Sequence, residues 1–101
     1  MVTDLPNLHD SILNSIHLDW ESGDLRVQIE GHDFDLAVLA YSLTSLECPR
    51  HHPWGPSFYI KNAILEDGNG SESLTIEMQS GDLIKIEAKR LSFDKTAHNK
   101  R

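Results

Sequence analysis

The sequence predicts an all-β fold, a single-domain antiparallel β-sandwich or small barrel of about six strands. The first observation is a repeat, in which the segment SIHLDWESGDL recurs almost intact as SLTIEMQSGDL. The repeat predicts two similar β-hairpins over residues 15–30 and 73–88. The second observation is that apolar and polar residues alternate between short segments rich in Gly, Asn and Ser, which is typical of strands separated by turns.

In the first hairpin, a two-residue loop at residues 22–23 supplies a Gly for the positive φ that such loops need. This loop would pair Trp20 with Leu25 and Asp19 with Arg26, so that apolar side chains meet on one face and opposite charges on the other. We therefore expect Trp20 to lie on the same half-buried face as its apolar neighbours.

The same register in the second hairpin would place Glu77 against Ile84, on the apolar face. One extra residue must therefore be absorbed, either by a bulge at residues 83–84 or by a three-residue loop over residues 80–82. Either device would pair Glu77 with Lys85. We expect this irregularity in the second hairpin and not in the first.

The segment of residues 36–48 is ambiguous, because its apolar residues fit both a strand and a helix. We favour a strand with a bulge near residues 40–42, and the alternative is an α+β fold with a helix over residues 36–46. A further strand is expected over residues 58–65, followed by a loop over residues 67–73. Leu91 and Phe93 could extend the last strand.

The chain length of 101 residues predicts one β domain, over residues 1–94, followed by a basic flexible tail over residues 95–101. The formal net charge is −7, and the acids lie mainly before residue 89. An acidic body repels phosphates, so we expect a basic protein partner or a homodimer, and no nucleic acid. A single Cys, the absence of a long apolar stretch and an N-terminus unlike a signal peptide predict a cytoplasmic protein without a membrane contact.

The segment CPRHHPWGPS is the strongest candidate for a binding loop. It carries Arg50, His51, His52 and Trp54 between prolines, and Arg and Trp are enriched at protein interfaces. The alternative is that Trp54 plugs one open end of the sandwich. A zinc site would need His9, Asp10 or another His beside the two loop histidines, and we predict no metal and no cofactor.

A second candidate is an acidic sheet face formed by Asp19, Glu21 and Glu77. No nucleophile, phosphate-loop or dinucleotide motif occurs, so we predict no catalytic residues. The sequence therefore favours a non-enzymatic protein-binding module. The alternatives are a small metal-dependent enzyme that uses the His-rich loop and a structural subunit of a larger assembly.

Four segments, LHDSIL, CPR, PWGPS and IEMQSGD, resemble a family of small, functionally uncharacterised bacterial proteins. The resemblance covers most of residues 8–88 and implies a bacterial, stand-alone cytosolic domain without a known substrate. In size, acidity and β content the chain also resembles immunity proteins, which would imply an inhibitor of a basic toxin.

Overall fold

The computed structural model describes residues 7–49, 59–68 and 70–97, and it confirms an all-β fold. These residues form a single antiparallel sheet in the order β1-β2-β3-β6-β5-β4. The strands are β1 (Ile12–Asp19), β2 (Asp24–Glu30), β3 (Phe34–Glu47), β4 (Ile60–Gly68), β5 (Ser71–Met78) and β6 (Leu83–Ala97). No helix occurs among the described residues, and the alternative helix over residues 36–46 lies within β3.

The two edge strands of the sheet meet at their first residues. Ile12 at the start of β1 forms an antiparallel bridge with Tyr59 before β4. The amide of Ile60 donates to the carbonyl of Ser11, and the amide of Asp10 donates to the carbonyl of Ile60, both at 2.8 Å. The six strands therefore form one continuous sheet, whose edge strands meet only at their first residues, rather than the two stacked sheets of a sandwich.

The core lies on the concave side of the sheet and consists of aliphatic side chains and one Met. Alternation along β2 buries Leu25, Val27 and Ile29, as the sequence predicts. The other strands contribute in the same way, because successive side chains point to opposite faces. Apart from those three, the buried cluster comprises Leu8, Leu36, Val38, Ala40, Ile60, Leu74, Ile76, Met78, Ile84, Ile86, Ala88 and Leu91.

The change of alternation that the sequence predicts in β3 near residues 40–42 is observed, but the register shift against β6 lies just beyond it, between Leu43 and Ser45. Leu36, Val38 and Ala40 belong to the core, and the next side chain of β3 that packs against it is Leu43, three residues after Ala40. Between them, Ser42 adopts a positive φ of 57°. The Leu43 amide donates to the carbonyl of Gly23 at 2.9 Å, so the strand stays connected to its neighbour while its alternation changes phase.

The first hairpin differs from its predicted register by two residues. Asp19 lies opposite Asp24, and residues 20–23 form a four-residue loop. The Asp19 side chain determines this loop, because its Oδ1 accepts hydrogen bonds from the amides of Glu21 and Ser22 at 3.1 and 3.3 Å. Trp20 is consequently in the turn and 86% exposed, so its predicted position opposite Leu25 is wrong.

The second hairpin has the predicted three-residue loop, but over residues 79–81 rather than 80–82. Gly81 has a φ of 100°, and the Met78 amide donates to the carbonyl of Asp82. Glu77 therefore lies opposite Leu83, and its predicted pairing with Lys85 is wrong. No bulge is needed, since Leu83 lies on the outer face. The first hairpin keeps an uninterrupted register from Ser15 onward, as predicted, and its irregularity lies just before that residue.

Two other strand boundaries differ from the prediction. Most of the predicted loop over residues 67–73 is strand, because β4 continues to Gly68, which pairs with Ser71 at the start of β5. The last strand includes Leu91 and Phe93, as predicted, and continues to Ala97. Residues 95–97 of the predicted flexible tail are thus part of the sheet, paired with the beginning of β3.

The strand order has a topological two-fold relation, but it does not relate the two similar hairpins. Exchanging β1, β2 and β3 with β4, β5 and β6 leaves the order unchanged. This exchange maps Ala40 onto Ala88 and Leu43 onto Leu91, an offset of 48 residues. The repeated segments have an offset of 58 and form β1–β2 and β5–β6, which are not equivalent in the exchange. The hairpin repeat therefore does not mark the two halves of the fold.

Candidate functional site

The most exposed large apolar side chain among the described residues is Trp20, at the tip of the β1–β2 turn. The turn, residues 20–23, is held at both ends by hydrogen bonds. At its start, Asp19 accepts from two turn amides, and the Gly23 amide donates to the Asp19 carbonyl at 2.9 Å. At its end, the Ser22 hydroxyl accepts from the amide of Asp24 at 3.2 Å. The indole is therefore presented to solvent on an ordered turn rather than packed on the core. We call this feature the Trp20 turn.

Carboxylates surround the exposed indole. Asp19 precedes Trp20, Glu21 follows it, and Asp24 closes the turn at the start of β2. Glu21 is exposed, and no ion pair neutralises these carboxylates among the described residues. The turn thus combines an exposed apolar side chain with carboxylates on both sides of it in the chain.

A shallow groove of about 190 Å³ runs along the outer sheet face beside the Trp20 turn. Its walls include two of the turn carboxylates together with Leu39 and Tyr41 of β3. The Arg90 guanidinium lies 4.6 Å from the centre of the Tyr41 ring, which fixes that ring from the β6 side. The groove lining also includes His17 and Arg26 and does not include Trp20, so the groove is a mixed surface beside the turn.

The predicted acidic face is not one continuous surface. Asp19 and Glu21 lie at the far end of β1, whereas Glu77 lies on β5 near the joined edges, across the intervening strands of the sheet. There the Glu77 carboxylate is 3.7 Å from the Lys61 ammonium group, with both side chains partly exposed. Glu77 therefore belongs to a local ion pair and not to the Trp20 turn.

A second groove, of about 300 Å³, crosses the outer faces of β3, β6, β5 and β4. Its charged lining consists of Glu47, Glu66 and Glu87 with one cation, Lys85. The Thr44 hydroxyl donates to the Glu87 carbonyl at 3.0 Å and joins β3 to β6 beside this groove. The groove adds to the acidic outer surface of the sheet, but it has no exposed aromatic side chain in its lining.

His9 and Asp10 lie where the two sheet edges meet. His9 Nδ1 donates to the Lys61 carbonyl at 2.9 Å, and its Nε2 lies 3.5 Å from Asp10 Oδ1. The Gln79 amide group donates to the same Asp10 oxygen at 2.5 Å. These contacts connect the residues before β1 with β4 and with the β5–β6 turn. The pair therefore fastens the sheet junction, and it lies on the surface rather than in a concave site.

The histidine-rich loop of the sequence prediction, with Arg50, His51, His52 and Trp54, lies outside the described residues. Its position relative to His9 and Asp10, which the sequence leaves open, therefore lies outside the described residues as well. Within residues 7–49, 59–68 and 70–97, no group of three or more His, Cys, Asp or Glu side chains could hold a metal ion.

No protein-family model matches the chain, and neither a curated protein nor a solved structure matches it. No helix within the described part of the chain is long and apolar enough to span a membrane.

Trp20 is the site residue that the sequence interpretation placed on the wrong surface. The signal that could have found it is the motif DWESGD, in which an Asp is followed by Ser and Gly. An Asp at that position caps the next amides, and the Gly supplies the positive φ at the end of a longer loop. The side-chain hydrogen bonds, rather than the hydrophobic alternation, decide where the strand ends.

Proposed function

We propose that the protein is a non-enzymatic binding module that recognises a basic protein partner through the Trp20 turn. The observation that carries this proposal is an indole 86% exposed on a hydrogen-bonded turn with carboxylates on both sides. A preordered turn loses little conformational entropy on binding, which favours an anchor of this kind.

The two parts of the turn have different roles in the proposal. The indole supplies affinity, because burial of a Trp in a partner pocket typically accounts for about 2–4 kcal/mol on truncation to Ala. Asp19, Glu21 and Asp24 supply selectivity for basic surfaces and faster association, an effect that salt weakens. An immunity-type inhibitor of a basic toxin would be one instance of such a module.

The titratable pair singled out in the sequence supports a non-enzymatic role. His9 and Asp10 are engaged in hydrogen bonds that join the sheet edges. A catalytic pair needs a side-chain atom directed at a substrate, whereas His9 donates to the Lys61 carbonyl and Asp10 accepts from the Gln79 amide group.

Affinity capture from a lysate of the source organism tests the proposal. Immobilised wild-type protein is compared with Trp20→Ala and Glu21→Lys, and Leu83→Ala is the matched control because Leu83 is an exposed apolar residue away from the turn. We expect the wild type and the control to retain the same basic proteins, and salt to release them. Neither turn variant should retain these proteins. Identical capture by all four proteins would contradict the proposal.

A further inference from the structure

The backbone of Gly23, at the end of the Trp20 turn, is hydrogen-bonded through both of its polar groups. Its amide donates to the Asp19 carbonyl, and its carbonyl accepts from the Leu43 amide, both at 2.9 Å. The first bond closes the turn within its own hairpin. The second bond attaches the turn to β3, beyond the last pair of the β2–β3 ladder, Leu25 with Ala40. The contact with Leu43 therefore ties the Trp20 turn to a strand outside the hairpin.

This contact requires one extra residue in β3. The β2–β3 register pairs Leu25 with Ala40, and its regular continuation would bring Ser42 opposite Gly23. The donor to Gly23 is instead Leu43, one residue further along the strand. Ser42 accommodates the extra residue with a left-handed backbone, at a φ of 57°. Bulges with a left-handed residue usually have Gly there, because other L-residues meet a steric cost in that conformation.

The other half of the fold has no equivalent contact. The topological exchange maps Ser42 onto Arg90 and Leu43 onto Leu91. Arg90 does not have a positive φ, and the Leu91 amide donates to the side chain of Glu72 rather than to a turn carbonyl. The left-handed residue thus occurs in the half whose turn presents the exposed indole. The Ser42 side chain is itself exposed, so its packing does not require this conformation.

We infer that Ser42 is a positioning residue of the Trp20 turn. Its left-handed conformation directs the next amide, that of Leu43, at the Gly23 carbonyl, and this bond holds the turn against β3. Backbone strain of this kind persists only where the surrounding structure maintains it, and it is common at binding sites. The inference rests on the proposed function for the role of the turn, but the order of the turn is measured without a partner.

Replacement of Ser42 changes the cost of the left-handed conformation without removing a buried group. A β-branched Val is strongly disfavoured at a positive φ, whereas Asn tolerates it better than most residues. We therefore expect Ser42→Val to open the contact between Leu43 and Gly23, and Ser42→Asn to preserve it. Ser45→Val is the matched control, because Ser45 is also exposed on β3 and does not have a positive φ.

Amide hydrogen exchange followed by NMR tests the inference on the free protein. In Ser42→Val, the amides of Leu43 and Gly23 should exchange about tenfold faster than in the wild type, since the steric cost favours the open turn. The same amides should exchange at the wild-type rate in Ser45→Val, and at that rate or more slowly in Ser42→Asn. Unchanged exchange in Ser42→Val, or faster exchange in Ser42→Asn, would overturn the inference.

A core variant separates opening of the turn from unfolding of the whole protein. Ile76 is fully buried in β5, so Ile76→Ala should accelerate the amides that exchange only through global unfolding and leave Leu43 and Gly23 unchanged. If Ile76→Ala accelerates these two amides as well, they open only with the whole fold, and Ser42 does not position the turn. Partner capture by Trp20→Ala that equals wild-type capture would refute the proposed function alone, because the exchange rates involve no partner.

Discussion

We predict that one hydrogen bond, which the Glu72 carboxylate accepts from the Leu91 amide, contributes measurably to the stability of the fold. The pairing of β5 with β6 ends at Glu72, which lies opposite Ala88. After Ala88, β6 has no backbone partner among the described strands on its β5 side. The Leu91 amide donates instead to Glu72 Oε1 at 2.5 Å. The equivalent amide in β3, that of Leu43, donates to the carbonyl of Gly23. A side chain thus replaces a backbone acceptor in one half of the fold.

Glu72→Ala removes this acceptor and leaves a partly buried amide without its protein partner. Such a loss costs about 1–3 kcal/mol of the free energy of unfolding. For a domain of this size, each kcal/mol lowers the midpoint of thermal unfolding by about 4–8 °C. Glu72→Gln keeps an amide oxygen as acceptor, and because hydrogen bonds to charged groups are roughly twice as strong, we expect about half of the loss.

Urea unfolding followed by circular dichroism measures the difference, with Glu66→Ala as the control. Glu66 carries the same charge on an exposed position of β4, and its replacement should change the free energy of unfolding by less than about 0.5 kcal/mol. If Glu72→Ala and Glu66→Ala unfold at the same urea concentration, the hydrogen bond from Leu91 to Glu72 does not stabilise the fold. Equal slopes of the transitions are required for this comparison.

Three further outcomes are expected. Gly31→Ala should lower the free energy of unfolding in urea by about 1–3 kcal/mol, because the added Cβ would lie 2.6 Å from the Phe34 carbonyl oxygen. A variant as stable as the wild type would show that the turn relaxes at no cost. Ile76→Ala should lower the free energy of unfolding by about 2–5 kcal/mol, and Ile64→Ala by less than about 0.5 kcal/mol, since the first side chain is fully buried and the second is half exposed. In a variant whose other Trp is replaced by Phe, acrylamide should quench Trp20 fluorescence almost equally in the native and the unfolded protein. Strong protection in the native state would place the indole in a contact instead.

The buried faces of the strands were predicted from the sequence, whereas the positions of both hairpin turns were not. The alternation of Leu25, Val27 and Ile29 identifies one buried face, since side chains alternate along any strand. A register shift of two residues keeps every side chain on its face, so this pattern does not distinguish the predicted pairing of Asp19 with Arg26 from the observed pairing with Asp24.

The wrong prediction for Trp20 has the same cause, because the alternation of side chains does not show where β1 ends. Its exposure depends on whether Asp19 ends the strand, and this is decided by hydrogen bonds within the turn. The bulge in β3 was accessible to sequence reasoning because burial changes phase there, from Ala40 to Leu43. The contact between Asp10 and Ile60 that joins the sheet edges was not accessible to sequence reasoning. It connects residues about fifty positions apart, and no local pattern marks it.

The topological two-fold relation also bears on the order of folding. Each half, β1–β2–β3 or β4–β5–β6, contains only connections between neighbouring strands, which close short loops. The pairing of β3 with β6 joins residues as far apart as Phe34 and Ala97, so it requires a much larger loss of chain entropy. We therefore expect the two meanders to form early and independently, and the zipping of β3 onto β6 to limit the folding rate. Core substitutions at that seam, such as Val38→Ala, should slow folding, whereas changes in the outer hairpins should mainly accelerate unfolding.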